Sequence, residues 1–163
     1  MALFGSKRDV SIFRSMSEEL INDIITQQIG YYKVVLSETP PNTYGEAITK
    51  QYVGPVLINT LIERGDFTVS NDNFGPDTAR IVTYRFLKTS LETANVYPEV
   101  GDVIMYNELY YEVDNVNENQ LILGKDPDYS YSTGLENFGG SYSLILQTHL
   151  TTPERLGIAQ FRI

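Results

Sequence analysis

The chain has 163 residues, enough for one domain with a core of ordinary size. It is 42% hydrophobic, which excludes a disordered chain, and its net charge of −9 argues against a nucleic-acid clamp, because phosphate binding needs a Lys/Arg surplus on some face. It has no cysteine, hence no disulfide framework and no thiolate chemistry, and no apolar run approaches the ~20 residues that span a bilayer.

Residues 1–10 read as a short flexible arm, too poor in apolar residues for a signal peptide. A helix over about 15–29 follows. Ile12, Phe13, Met16, Leu20, Ile24 and Ile25 recur at three- to four-residue spacing on one face. Ser15 with Glu18 has the form of a capping box, and Gly30 is placed to end the helix in a left-handed cap. One helix cannot bury an apolar face alone, so it must pack on the sheet or on another subunit.

Tyr31 to Ser37 reads as a strand, broken by the loop from Thr39 to Gly45 with its two prolines. Residues 55–63 form a second strand, Arg64-Gly65 turns it, and Phe67 to Ser70 form a third, shorter one. Asn71 to Asp77 is a polar loop. Ala79 to Leu87 is a strand in which Ile81, Thr83, Arg85 and Leu87 alternate with Val82, Tyr84 and Phe86. Lys88 to Asn95 makes one helical turn with Leu91 and Ala94 inward.

The stretch from about 100 to 125 reads as a three-strand meander. Leu109, Tyr111 and Val113 alternate with Tyr110, Glu112 and Asp114, and Asn107-Glu108 suits a tight hairpin turn because Asn tolerates positive φ. A polar insertion over about 125–140 carries Tyr129, Tyr131 and Phe138. Tyr142 to Leu150 returns as a strand, with Leu144, Leu146 and Thr148 opposite Ser143, Ile145 and Gln147. The sum is a mainly β domain over residues 11–163: a small antiparallel β-barrel or sandwich with one N-terminal α-helix and a long loop or hairpin insertion.

Chemistry-bearing patterns are few. Asp126-Pro127-Asp128-Tyr129-Ser130 resembles the start of a calcium loop but has Tyr131 where glycine is required and Asn137 where the bidentate Glu should stand. His149 is the only histidine and has no nucleophile to serve. Glu112 and Asp114 read as a solvated strand face rather than an acid–base pair. The expectation is no catalytic residue, no metal, no cofactor and no enzyme. What stands out is apolar and aromatic material in loops and termini: Leu3, Phe4, Tyr129, Tyr131, Phe138, Phe161 and Ile163. Such residues suit an interface core, so the 125–140 loop is expected to touch neighbouring subunits or rings.

Two blocks carry a family resemblance. The first is the helix followed by Ile29-Gly30-Tyr31-Tyr32-Lys33-Val34-Val35 and the loop to Ala47. The second is Pro98-Glu99-Val100-Gly101-Asp102-Val103-Ile104-Met105-Tyr106 followed by Leu109-Tyr110-Tyr111-Glu112-Val113-Asp114-Asn115-Val116. Over about residues 15–145 the chain resembles the neck, or head-completion (head-closure connector), proteins of contractile-tailed bacteriophages. The resemblance implies a virion structural protein, made in the host cytoplasm and placed at the head–tail junction. It implies a homo-oligomeric ring of six or twelve copies between portal and tail. Such a ring closes the DNA-filled head and docks the tail, meeting the portal or an adaptor ring, tail terminator or tail proteins, and DNA only as passing cargo. A tail terminator or connector adaptor ring is the nearest alternative, and a ligand-binding β-barrel a more distant one.

Overall fold

The computed structural model describes residues 7–39, 50–72, 75–118, 142–152 and 156. Helix α1 spans Lys7–Glu19 and continues as a π-helical turn over Leu20–Ile25. The strands are β1 Gln28–Val34, β2 Tyr52–Asn59, β3 Leu61–Asp72, β4 Gly75–Leu87, β5 Val103–Tyr106, β6 Leu109–Asn117 and β7 Ser143–Thr151. The short helix α2, Lys88–Thr93, follows β4, and a 3-10 turn covers Leu36–Glu38. The fold is therefore mainly β with a helix at the N-terminal end, as the alternation implied.

The seven strands form one antiparallel sheet in the order β2-β1-β5-β6-β7-β4-β3. Its two end strands, β2 and β3, are separated by Thr60 alone, so the sheet must roll until its ends meet at that residue. Thr60 is fully buried. Its N–H donates to the Gln27 carbonyl at 2.9 Å, beside β1, and its hydroxyl donates to the Arg85 carbonyl at 2.8 Å, on β4. No β2–β3 ladder closes the roll, so the arrangement is sandwich-like rather than a closed barrel.

Inside the roll, Tyr31, Tyr84, Phe86, Tyr111, Ile104 and Leu146 are fully or almost fully buried. Val82, Tyr84 and Phe86 of β4 and Leu144, Leu146 and Thr148 of β7 face inward, and Leu91 of α2 plugs one end. A second cluster lies on the other face of β1, β5 and β6: Tyr32, Val103, Met105 and Tyr110, covered by Leu156 and Tyr52. Those three strands are buried on both faces. This explains the unbroken runs Tyr31-Tyr32, Val103-Ile104-Met105 and Tyr110-Tyr111, which alternation alone does not produce.

Several expectations are corrected. The helix begins at Lys7, so residues 7–10 are helical rather than part of an arm, and Ser15 lies inside the helix rather than at its cap. It ends at Thr26, which takes a left-handed φ of 48° and donates its N–H to the Ile21 carbonyl. Gly30 is not a cap but a mid-strand residue of β1. That segment pairs with β2 on one side and β5 on the other, and two ladders outweigh a further helical turn. A Cβ at Gly30 would lie 3.3 Å from both the Met105 methyl and Pro55, so glycine admits that packing. Arg64-Gly65 is not a turn. It is a bulge in the continuous twelve-residue β3, where the register with β4 shifts between Arg64 and Phe67. Asn107-Glu108 does turn the β5–β6 hairpin, with φ of 52° and 62°. The third strand of the meander and the 125–140 insertion lie outside the described residues.

Candidate interaction surface

Among the described residues no group of three or more His, Cys, Asp or Glu side chains converges to hold a metal ion. His149 pairs with Asp114 at 2.7 Å, both half exposed on the outer face of the sheet. Glu112 pairs with Lys50. The two strand-face carboxylates are thus each matched to a separate partner.

Among the described residues the one fully buried carboxylate is Asp102, and its surroundings are those of an anchor. It accepts from the Val34 and Glu99 backbone N–H groups, both at 2.8 Å, from the Tyr31 hydroxyl, and from the Lys33 ammonium at 3.1 Å. Lys33 also reaches Glu99 and the Tyr97 carbonyl, both at 2.8 Å. The carboxylate therefore ties the loop before β5 to β1. Burial, reinforced by the bond to Asp102, pushes the Tyr31 hydroxyl far above its usual range, so Tyr31 stays a donor.

The surface, not the interior, carries what is left over. The roll is filled by its own side chains, and hollows beside Leu57 and beside Pro98 lie on the outside. Of the apolar residues from Ile12 to Ile25, Ile12, Phe13, Met16, Leu20 and Ile24 are 46–69% exposed, and only Ile21 is buried. The helix is held to the body through polar contacts. Thr89 donates to Glu18 at 2.8 Å, Asn59 to Asn22 at 3.2 Å, and Tyr142 to the Phe13 carbonyl at 3.2 Å. The apolar face, expected to pack on the sheet or on another subunit, thus points outward and finds no cover on the sheet among the described residues. The physical reason lies in the body: α2 already plugs that end of the roll, leaving the helix a polar groove to sit on.

A second exposed set runs along the outer side of the bent β2–β3 strand. Val53, Leu57 and Leu61 are 62%, 49% and 41% exposed, and Phe67 and Val69 follow beyond the bulge. Ile81 faces out from β4 beside them. Sequence reasoning placed these positions on strands and did not single them out. The signal was present in the odd-numbered apolar residues of β2 and β3, which share one parity opposite to the buried Ile58 and Thr60.

Leu3, Phe4, Tyr129, Tyr131, Phe138, Phe161 and Ile163, the interface residues expected from sequence, all lie outside the described residues, as does the calcium-like loop at 126–137. No helix among the described residues is long and apolar enough to cross a membrane.

No known family model matches this sequence, and no curated protein matches it significantly. Among solved structures the chain is similar to one from the virion of a native gene transfer agent particle. The TM-score is 0.45 at 8% identity, covering 77% of this chain and 94% of that one. A likeness of that order carries no weight for function.

Proposed function

We propose that this chain is a virion structural protein of a phage neck, forming a ring between portal and tail that closes the DNA-filled head and docks the tail. The observation that carries the reading is the uncovered apolar surface on α1 and on the β2–β3 strand. Scattered apolar residues are ordinary on a protein surface, but a helix stripe and a strand row are the kind of grouped apolar surface that suits a partner. The family resemblance of the β1 and β5–β6 blocks supplies the kind of partner: further copies and neighbouring rings.

The charge fits that role. From Thr89 to Glu118 the chain carries seven carboxylates and no Lys or Arg. Asp102 among these is buried, and Lys33 and Lys50 partner Glu99, Asp102 and Glu112, so the support comes from the net charge of −9, which repels a DNA backbone and lets it pass without gripping. The ring performs no reaction and needs no cofactor, and its mechanism is assembly. Rigidity comes from the Asp102 anchor and the doubly buried strands, so the exposed faces are presented in fixed geometry.

The test is imaging of assembled particles that contain the chain fused to a small tag. The expected result is tag density in a ring of six or twelve copies at the head–tail junction. Density elsewhere on the particle, or its absence from particles, overturns the reading.

A further inference from the structure

We propose that residues 157–163 fold back on their own domain and seat Phe161 in the hollow between Leu57 and Met105. Those residues lie outside the described ones, but the residue they start from does not. Leu156 is 2% exposed and packs with Tyr32, Val103, Met105 and Tyr110 on the outer face of β1, β5 and β6. The chain therefore continues from that face.

The hollow borders the same cluster. Leu57, Gly30 and Met105 are cross-strand neighbours in one row over β2, β1 and β5. The middle residue has no side chain, which leaves a recess between the two larger ones. It measures about 240 Å³, and Glu108 stands in its lining. That volume exceeds the ~150 Å³ that accommodates a benzene ring. Met105 belongs to both places, since it packs with Leu156 in the cluster and lines the hollow. Tyr32 of the cluster and Gly30 of the hollow are two residues apart on β1, ~7 Å. Phe161 is five residues beyond Leu156, a reach of ~16 Å when extended, so the ring arrives with slack.

Charge agrees. From Arg155 to Ile163 the chain carries two arginines and no Asp or Glu. The one charged residue lining the hollow is Glu108, which is exposed on the β5–β6 turn and joins no ion pair among the described residues. Arg162 thus meets an acid at the rim while its neighbour Phe161 meets Leu57 and Met105. Leu156 selects the segment's own domain over a second copy, because a tether of a few residues holds the ring at high effective concentration beside the hollow. The contact is independent of any ring, and it moves Phe161 from an interface between subunits to the cover of its own sheet.

The chain has no tryptophan, so Phe161→Trp introduces a single indole that reports its own surroundings. Emission maximum and acrylamide quenching are measured on the full chain over a dilution series. The proposal expects blue-shifted emission, quenching several-fold weaker than in urea, and no change on dilution. Adding Leu57→Lys or Glu108→Lys should shift the emission to the red and raise the quenching, with the far-ultraviolet circular dichroism unchanged, because both side chains are at the surface. An exposed indole in the folded parent overturns the proposal. A protected indole indifferent to both changes sits elsewhere and also overturns it. Protection lost on dilution means that the segment enters another copy, which overturns it as well. Should Leu57→Lys fail to fold, Glu108→Lys alone decides.

Discussion

Removing the Asp102 carboxylate tests whether the anchor holds the β1–β5 side of the roll. In Asp102→Ala, the Tyr31 hydroxyl and the Val34 N–H are left buried without an acceptor, since Tyr31 is fully buried and Val34 nearly so. The Glu99 N–H and the Lys33 ammonium are nearer solvent and can be rehydrated. Two orphaned buried donors at ~1–3 kcal/mol each give a loss of about 4 kcal/mol. For a domain of this size that is about 8–16 °C in Tm. Asp102→Asn keeps one acceptor oxygen and should cost about half as much. Urea unfolding followed by far-ultraviolet circular dichroism measures both. The decisive comparison adds Tyr31→Phe. Alone it removes one bond of four and should cost ~1 kcal/mol; in the Asp102→Ala background it removes an orphaned hydroxyl and should cost nothing or stabilise. A loss below ~1 kcal/mol for Asp102→Ala, or the same Tyr31→Phe cost in both backgrounds, would refute the reasoning.

Burial holds the Tyr31 and Tyr84 hydroxyls far above the ordinary tyrosine value, with the Asp102 bond adding to the effect at Tyr31. The folded state therefore keeps protons that the unfolded state releases, so stability is unaffected below pH ~10 and is lost as pH rises beyond it. Tyrosinate absorbance should show these two ionising only with loss of the β-sheet signal; ionisation of all twelve tyrosines in a still-folded chain would contradict this. At the bulge, a Cβ on Gly65 would sit 2.7 Å from the Ile81 carbonyl oxygen. Gly65→Ala should cost ~1–3 kcal/mol and speed amide exchange at Arg64 and Phe67, whereas unchanged exchange would mean that the bulge is not held by that close approach. Met16→Ser combined with Ile24→Ser should change monomer stability by less than ~0.5 kcal/mol, because both side chains are more than half exposed, yet reduce incorporation into particles. Equal incorporation would assign the helix stripe no part in assembly.

Where a residue's fate depends on its near neighbours, the sequence was legible. Ala79–Leu87 and Ser143–Leu150 alternate in sequence, because one face meets the core and the other meets water, and the structure keeps that parity up to Phe86 and from Ser143 to His149, with Leu87 buried at the turn into α2. Leu91 of α2 and the Asn107-Glu108 turn were legible for the same local reason. The errors come from distant partners. Gly65 reads equally as a turn or a bulge, and what decides is the Ile81 carbonyl pressed against it from the next strand. Gly30 reads as a helix cap until Met105 and Pro55, brought in from two other strands, show why it lacks a side chain. The helix period identified an apolar stripe but could not say that α2 would occupy the end of the roll first and leave Ile12, Met16 and Ile24 outside. The Asp102 anchor was unreadable for a similar reason: Gly101-Asp102 looks like a loop carboxylate, and its donors come from ~70 residues away.

The corner at Thr60 has a consequence for synthesis. By the time residue 87 has left the ribosome, the chain can form two separate hairpins, β1–β2 and β3–β4, joined by that single residue. Each then faces a gap where β5, β6 and β7 belong. The gap fills only when residues 143–151 arrive, more than fifty residues later. Until then both hairpins carry a bare hydrogen-bonding flank, the hazard of a late-completing β topology. A stop codon before β7 would therefore yield neither a smaller roll nor half of one, but two sticky ribbons on a common tether.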